Sequence, residues 1–114
     1  MTFEATYLGS NGWIIKFKKT NLIIDPWLKG DLIFPPGEWF FKGSLEEEIL
    51  INDEIDIILL TQGLPDHCHF PTLELFRKDI PIICPKSAVK TLEKIGFSSI
   101  KILTPTEKLS LIHI

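Results

Sequence analysis

Apolar runs broken at short intervals fill the first quarter of the chain. Phe3–Leu8 is a run of β-formers, Gly9-Ser10-Asn11-Gly12 is a turn cluster, Trp13–Phe17 alternates around Lys16, and Thr20-Asn21 opens Leu22–Ile24. The pattern predicts an antiparallel meander. Its third run ends in Asp25-Pro26-Trp27, where Pro26 removes a ladder donor and biases Asp25 toward an extended backbone. A carboxylate is therefore expected at a strand exit.

Residues 29–42 read as a long loop around Pro35, Pro36 and Gly37, with Phe34, Trp39, Phe40 and Phe41 as anchors against the core and a substrate-facing lid as the alternative. Ser44 then opens a helix over Leu45–Leu50, because Glu47 completes a capping box and Glu46–Glu48 favours the positive end of the helix dipole.

Past Asn52-Asp53 the pattern changes. Ile57-Ile58-Leu59-Leu60 is a continuous run suited to a strand covered on both faces. Thr61–His69 follows as a loop, and Pro71 starts a helix to Arg77. Ile80-Pro81-Ile82-Ile83-Cys84 is a strand in its second half, Lys86–Ile95 is a helix stopped by Gly96, and Ile100–Leu103 is a further strand. Strand, loop, helix, strand, helix, strand is the grammar of a sheet with crossover helices, an α/β fold.

Length and composition narrow the reading. The 114 residues make one domain at most, and 45% apolar with 24% charged residues requires a packed core. Twelve Lys and Arg against fifteen Asp and Glu leave −3, which gives no electrostatic reason to expect nucleic acid or an anionic membrane as partner. No apolar run approaches the roughly 20 residues of a membrane span, and Met1–Phe3 passes straight into strand-like sequence without leader features. A cytoplasmic protein is expected. Two cysteines, Cys68 and Cys84, are too few for a disulfide framework and suit a reducing compartment.

Thr61-Gln62-Gly63-Leu64-Pro65-Asp66-His67-Cys68-His69 carries the candidate chemistry. It lies past the carboxyl end of a buried strand, where open α/β sheets place ligands. Asp66, His67 and His69 supply a carboxylate and two imidazoles, donors that suit Zn²⁺. A His that caps a helix or bonds a strand-end carboxylate is the competing reading. Cys68 lies between two His residues, but neighbours in an extended loop point apart, which argues against a thiolate nucleophile. Trp13, Trp27 and Trp39 read as core or core-edge aromatics, with substrate stacking as the alternative.

A meander ending in Leu22-Ile23-Ile24-Asp25-Pro26, then a loop, a helix and Ile57-Ile58-Leu59-Leu60-Thr61 before an Asp-His pair, resembles the N-terminal half of the metallo-β-lactamase fold. The resemblance runs to about Glu107 and is strongest to Zn-dependent, lactonase-like hydrolases. It implies half of an αββα sandwich: a meander joined to a mixed sheet, with helices on one face. The other face then lacks its opposing layer, so Ile15, Ile24 and Ile58 are expected to be partly exposed and the chain to self-associate.

The superfamily motif is His-x-His-x-Asp-His. Its last two positions fall on Asp66 and His67 and match; its first two fall on Gln62 and Leu64 and do not. The resemblance therefore implies at most one ion, with Asp66 and His67 as ligands, His69 as the local candidate to join them, Asp66 as the catalytic group and a water as nucleophile. Asp25 matches the motif that braces the metal loop, or it simply satisfies backbone N–H groups at the strand end. Two functions stay open: hydrolysis of an ester, lactone or phosphoester, or a non-catalytic descendant that binds a small metabolite or a protein partner.

Residues 1–108 are read as a partial domain. Leu109-Ser110-Leu111-Ile112-His113-Ile114 matches one reading frame of a transposase adapter used in sequencing libraries. A non-native tail at 109–114 is the expectation, which removes His113 as a ligand, and a terminal strand is the alternative.

Overall fold

The computed structural model describes residues 3–34, 37, 39, 42–45 and 47–108. The alternating runs of the first quarter become β1 (Phe3–Gly9), β2 (Gly12–Phe17) and β3 (Thr20–Ile24). They pair antiparallel, with Tyr7 opposite Trp13 and Trp13 opposite Ile24. The following loop contains a small two-stranded sheet, β4 (Leu32–Ile33) with β5 (Lys42–Gly43), which the Pro and Gly content of residues 29–42 did not predict.

β6 (Ile57–Leu59) joins β3 in parallel, followed by α1 (Phe70–Leu73), β7 (Ile82–Cys84), a 3₁₀ turn at Lys86–Ala88 that runs into α2 (Val89–Ile95), and β8 (Ile100–Ile102). The six-stranded sheet has the order β1-β2-β3-β6-β7-β8. Gly96 ends α2 at φ 111°, and its N–H donates to the Leu92 and Glu93 carbonyls. The mixed sheet and its two crossover helices bear out the α/β expectation. The α1 helix is shorter than expected, since regular turns stop at Leu73 rather than Arg77.

The helix expected over Leu45–Leu50 does not form: Leu45 and residues 47–50 have no helical structure. The capping signals at Ser44 and Glu47 are local, and tertiary pairing overrides them. Ile49 donates its N–H to the Leu28 carbonyl at 2.8 Å, and Ile49 and Ile51 pack on the core from a segment without regular structure.

Register sorts the side chains into two faces. Ile14, Ile23, Ile58 and Ile82 lie side by side across four strands and are buried together with Leu73 of α1 and Leu92 of α2. Each such side chain contributes ~1.5–3 kcal/mol of burial free energy. Ile58 is thus fully buried under the helices, which corrects the expectation that it would be exposed.

On the opposite face Phe3 pairs with Phe17, Ala5 with Ile15 and Tyr7 with Trp13, continuing through Leu22 and Ile24. There Ile15 and Ile24 are half-buried as expected, and Phe3 and Tyr7 are 62% and 56% exposed. Trp13 is also exposed, its ring centroid 4.9 Å from that of Tyr7. Trp39 is 78% exposed, so it is not the core anchor expected of it. Among the described residues no helix is long and apolar enough to cross a membrane. The proposed tail, 109–114 with His113, lies outside the described residues.

Candidate metal centre

The site is built on the exit of β3. Asp25 does not continue the strand in the extended form expected before Pro26; it takes φ 43°, the left-handed region that Asp enters more readily than most residues. Its N–H donates to the Leu59 carbonyl at 3.0 Å, tying the kink to β6, and its side chain is buried. The kink turns the carboxylate toward the loop that leaves β6.

That loop supplies the partners. Thr61 donates its N–H to Asp25 Oδ1 at 2.8 Å and its hydroxyl to Oδ2 at 2.5 Å. His67 Nδ1 lies 2.8 Å from the same Oδ2 and 3.0 Å from Thr61 Oγ1. With a carboxylate as acceptor, Nδ1 carries a proton, and in the neutral imidazole Nε2 is the nitrogen that keeps its lone pair. His67 Nε2 in turn lies 3.3 Å from Asp66 Oδ2, and Asp66 Oδ1 is buried with no hydrogen-bond partner.

Asn11, at the tip of the β1–β2 hairpin, closes the cluster. Its Nδ2 is 3.3 Å from the Asp66 carbonyl, 3.2 Å from Asp66 Oδ2 and 3.4 Å from His67 Nε2. The sequence gives neither Asn11 nor Thr61 a role of its own in the site. Asn11 reads there only as a turn residue, and no local pattern points to a partner fifty-five positions away.

His69 goes elsewhere. The Thr72 hydroxyl accepts the Leu28 N–H at 2.9 Å and donates to His69 Nδ1 at 2.8 Å, and His69 Nε2 donates to the Asp31 carbonyl at 2.9 Å. Both ring nitrogens are spent, so the structure does not bring His69 to the Asp66–His67 pair. Burial pushes its pKa below the usual imidazole value, against the opposing pull of the Asp31 carbonyl and charge. Its ring meets Trp27 edge-on with centroids 6.1 Å apart. Cys68 is buried as well, its thiol pushed up to about 11 by desolvation and then by the nearby Cys84 and Asp25 charges. That is the opposite of an activated nucleophile.

Gln62 and Leu64 line a shallow pocket of about 380 Å³ beside the cluster, with Thr61, Gly63, Pro85 and Ser87. Gly63 is required there, because a Cβ would stand 2.7 Å from the Ser87 carbonyl oxygen. Leu64 also accepts the His67 and Cys68 N–H groups, at 2.9 and 2.8 Å, which fixes the turn that presents His67.

The donor set fits one metal position in part. A carboxylate with an unused buried oxygen and an oriented imidazole are two of the four ligands a tetrahedral site takes. Among the described residues no group of three or more His, Cys, Asp and Glu side chains could hold an ion.

The profile of the family described as "Beta-lactamase superfamily domain" matches residues 4–111. The chain belongs to the β-lactamase superfamily. Solved structures with this superfamily's fold align along nearly the whole chain. A possible metal-dependent hydrolase from Veillonella parvula gives a TM-score of 0.69 at 19% identity, covering 96% of this chain and 45% of that one. Igni18, a metallo hydrolase from Ignicoccus hospitalis, gives 0.68 at 20% identity over 99% and 44%. CmlA, a diiron β-hydroxylase from Streptomyces venezuelae, gives 0.67 at 23% identity over 95% and 22%. This superfamily chain therefore spans less than half the length of these relatives. No protein of curated function matches it.

Proposed function

We propose that this chain carries one part of the active site of a metal-dependent hydrolase whose remaining ligands lie in sequence beyond it. The carrying observation is the relay Asp25–His67–Asp66. A buried carboxylate orients the His67 ring through Nδ1, and Nε2 lies 3.3 Å from Oδ2 of a carboxylate whose other oxygen is buried and unpartnered. The exposed aromatic face and the length of the matched structures support a longer protein.

In this reading Asp66 and His67 would hold one divalent cation, Zn²⁺ by the chemistry of the donors. When bound, the ion supplies the Lewis acidity that brings a water's pKa toward neutrality. Asp25 keeps the imidazole oriented, Thr61 holds Asp25, and Asp66 would accept the proton of an attacking water. The pocket of Gln62, Leu64 and Ser87 receives a small ester, lactone or phosphoester.

A second reading rests on Gln62 and Leu64, which occupy the first two motif positions and offer no strong ligand. On that reading the protein is a non-catalytic relative whose pocket binds a metabolite or a protein partner.

Metal content separates the two. The source locus, read past the codon for Lys108 and expressed at its full extent, is expected to retain one Zn²⁺ per chain, lost on Asp66→Ala, while the 114-residue chain binds Zn²⁺ only weakly. A metal-free full-length protein with an intact fold favours the binding role. A stop codon directly after Ile114 contradicts both the longer protein and the adapter origin of residues 109–114.

A further inference from the structure

The hairpin tip that carries Asn11 is held against the cluster by several devices. Tyr7 donates its hydroxyl to the Ser10 carbonyl at 2.8 Å, and Gly9 and Ser10 take φ values of 93° and 49°, which closes the turn. Gly12 is buried, and a Cβ there would stand 3.2 Å from Leu8 Cβ and 3.3 Å from the Asp25 carbonyl oxygen. The tip is therefore pressed onto the exit of β3. From there the Asn11 side chain reaches Asp66 and His67.

What it does there is unusual for an amide. Its Nδ2 lies within 3.4 Å of three lone-pair atoms, the Asp66 carbonyl, Asp66 Oδ2 and His67 Nε2. An NH₂ group has two protons. In the neutral imidazole with its proton on Nδ1, His67 Nε2 is a third acceptor beside the two Asp66 oxygens, so three acceptors meet two donors at a point where a cation could reach all three. The amide is nearly symmetric in shape, so half a turn about its terminal bond exchanges Nδ2 for Oδ1 without moving the hairpin.

We propose that Asn11 is a reversible third donor of the metal centre: its NH₂ occupies the cation's place in the metal-free protein, and its Oδ1 joins Asp66 and His67 when a divalent cation enters. The inference rests on the metal-binding reading given above. In the empty state the amide satisfies the converging acceptors; in the loaded state it supplies a neutral oxygen as a third ligand beside Asp66 and His67. The site would keep its shape in both states.

The test uses Zn²⁺ as the probe and the protein expressed at the full extent of its source locus, with competition against a chromophoric chelator and far-UV circular dichroism to confirm the fold. Asn11→Ala is expected to weaken Zn²⁺ binding about fivefold or more, and Asn11→Asp to tighten it about tenfold or more, because a carboxylate oxygen replaces an amide oxygen. Asn11→Ser serves if the alanine variant loses its fold, and weaker binding is expected there too. Tighter binding in Asn11→Ala would make the amide a mere competitor and overturn the proposal. Equal affinity across wild type, Asn11→Ala and Asn11→Asp, with loss on Asp66→Ala, overturns the role of Asn11 and leaves the metal centre standing. Binding unaffected by Asp66→Ala overturns the metal reading itself, and this proposal with it.

Discussion

Asp25 and His67, separated by 42 positions, meet at 2.8 Å through a buried carboxylate oxygen and Nδ1 of the imidazole. The contact requires Asp25 to leave β3 in a left-handed conformation and the Thr61–His69 loop to fold back over it. Local backbone strain and a long-range hydrogen bond therefore act as one device, which orients the only imidazole the described residues bring beside Asp66.

Removing the carboxylate should be costly. Asp25→Ala leaves the Thr61 N–H and the His67 Nδ1–H without their acceptor, and a loss of ~2–3 kcal/mol is expected. Urea unfolding followed by tryptophan fluorescence checks this. A loss below about 0.5 kcal/mol, the range of an ordinary surface substitution, would mean that Asp25 does not organise the loop.

His69 should matter to stability and not to metal. His69→Leu removes the bonds to Thr72 and Asp31 from a buried position, which costs ~1–3 kcal/mol. Zn²⁺ affinity should stay within about threefold of wild type, a difference of under one kcal/mol. A larger change in affinity would return His69 to the list of ligands.

Both thiols should resist modification in the folded state. Cys68 and Cys84 are buried, and desolvation raises both pKa values. At pH 8 a disulfide reagent is expected to titrate them only after denaturant is added. The pH dependence follows from the same shift. The Cys68 thiol rises from 9.0 to about 11 on folding, so its contribution is complete below pH 9 and is lost as pH climbs toward 11, where the unfolded chain is the better acid. Stability flat from pH 8 to 11 would contradict this burial.

The aromatic face should drive self-association of the 114-residue chain. Phe3, Tyr7, Trp13 and Phe17 form paired, exposed rows on the side of the sheet away from the helices. Sedimentation velocity at micromolar concentration is expected to show species larger than the monomer, reduced by Tyr7→Lys combined with Phe17→Lys. A monomeric wild-type profile would show that the face tolerates water.

Much of this fold is legible in the sequence because its signals are local. Alternation in Trp13–Phe17, the continuous run at Ile57–Leu60, Pro71 at a helix start and Gly96 at a helix stop each act within a few residues, and each is realised. The Ser44–Glu47 capping box is equally local, yet Leu28 captures the Ile49 N–H and no helix forms. The site is harder to read. Asp66 and His67 are visible as a pair, but whether the next imidazole turns toward them or away depends on Thr72 and Asp31. Asn11 joins only through the register of a hairpin that must already be packed on Asp25.

Strand order across the large sheet repeats the order of synthesis, from β1 at one edge to β8 at the other. A chain leaving the ribosome can therefore lay each strand on the edge left by its predecessor, and none has to be threaded between two already paired. Asn11 and Asp25 would be in place before Asp66 and His67 emerge. The nascent protein would meet its own imidazole with the bracing carboxylate already aimed.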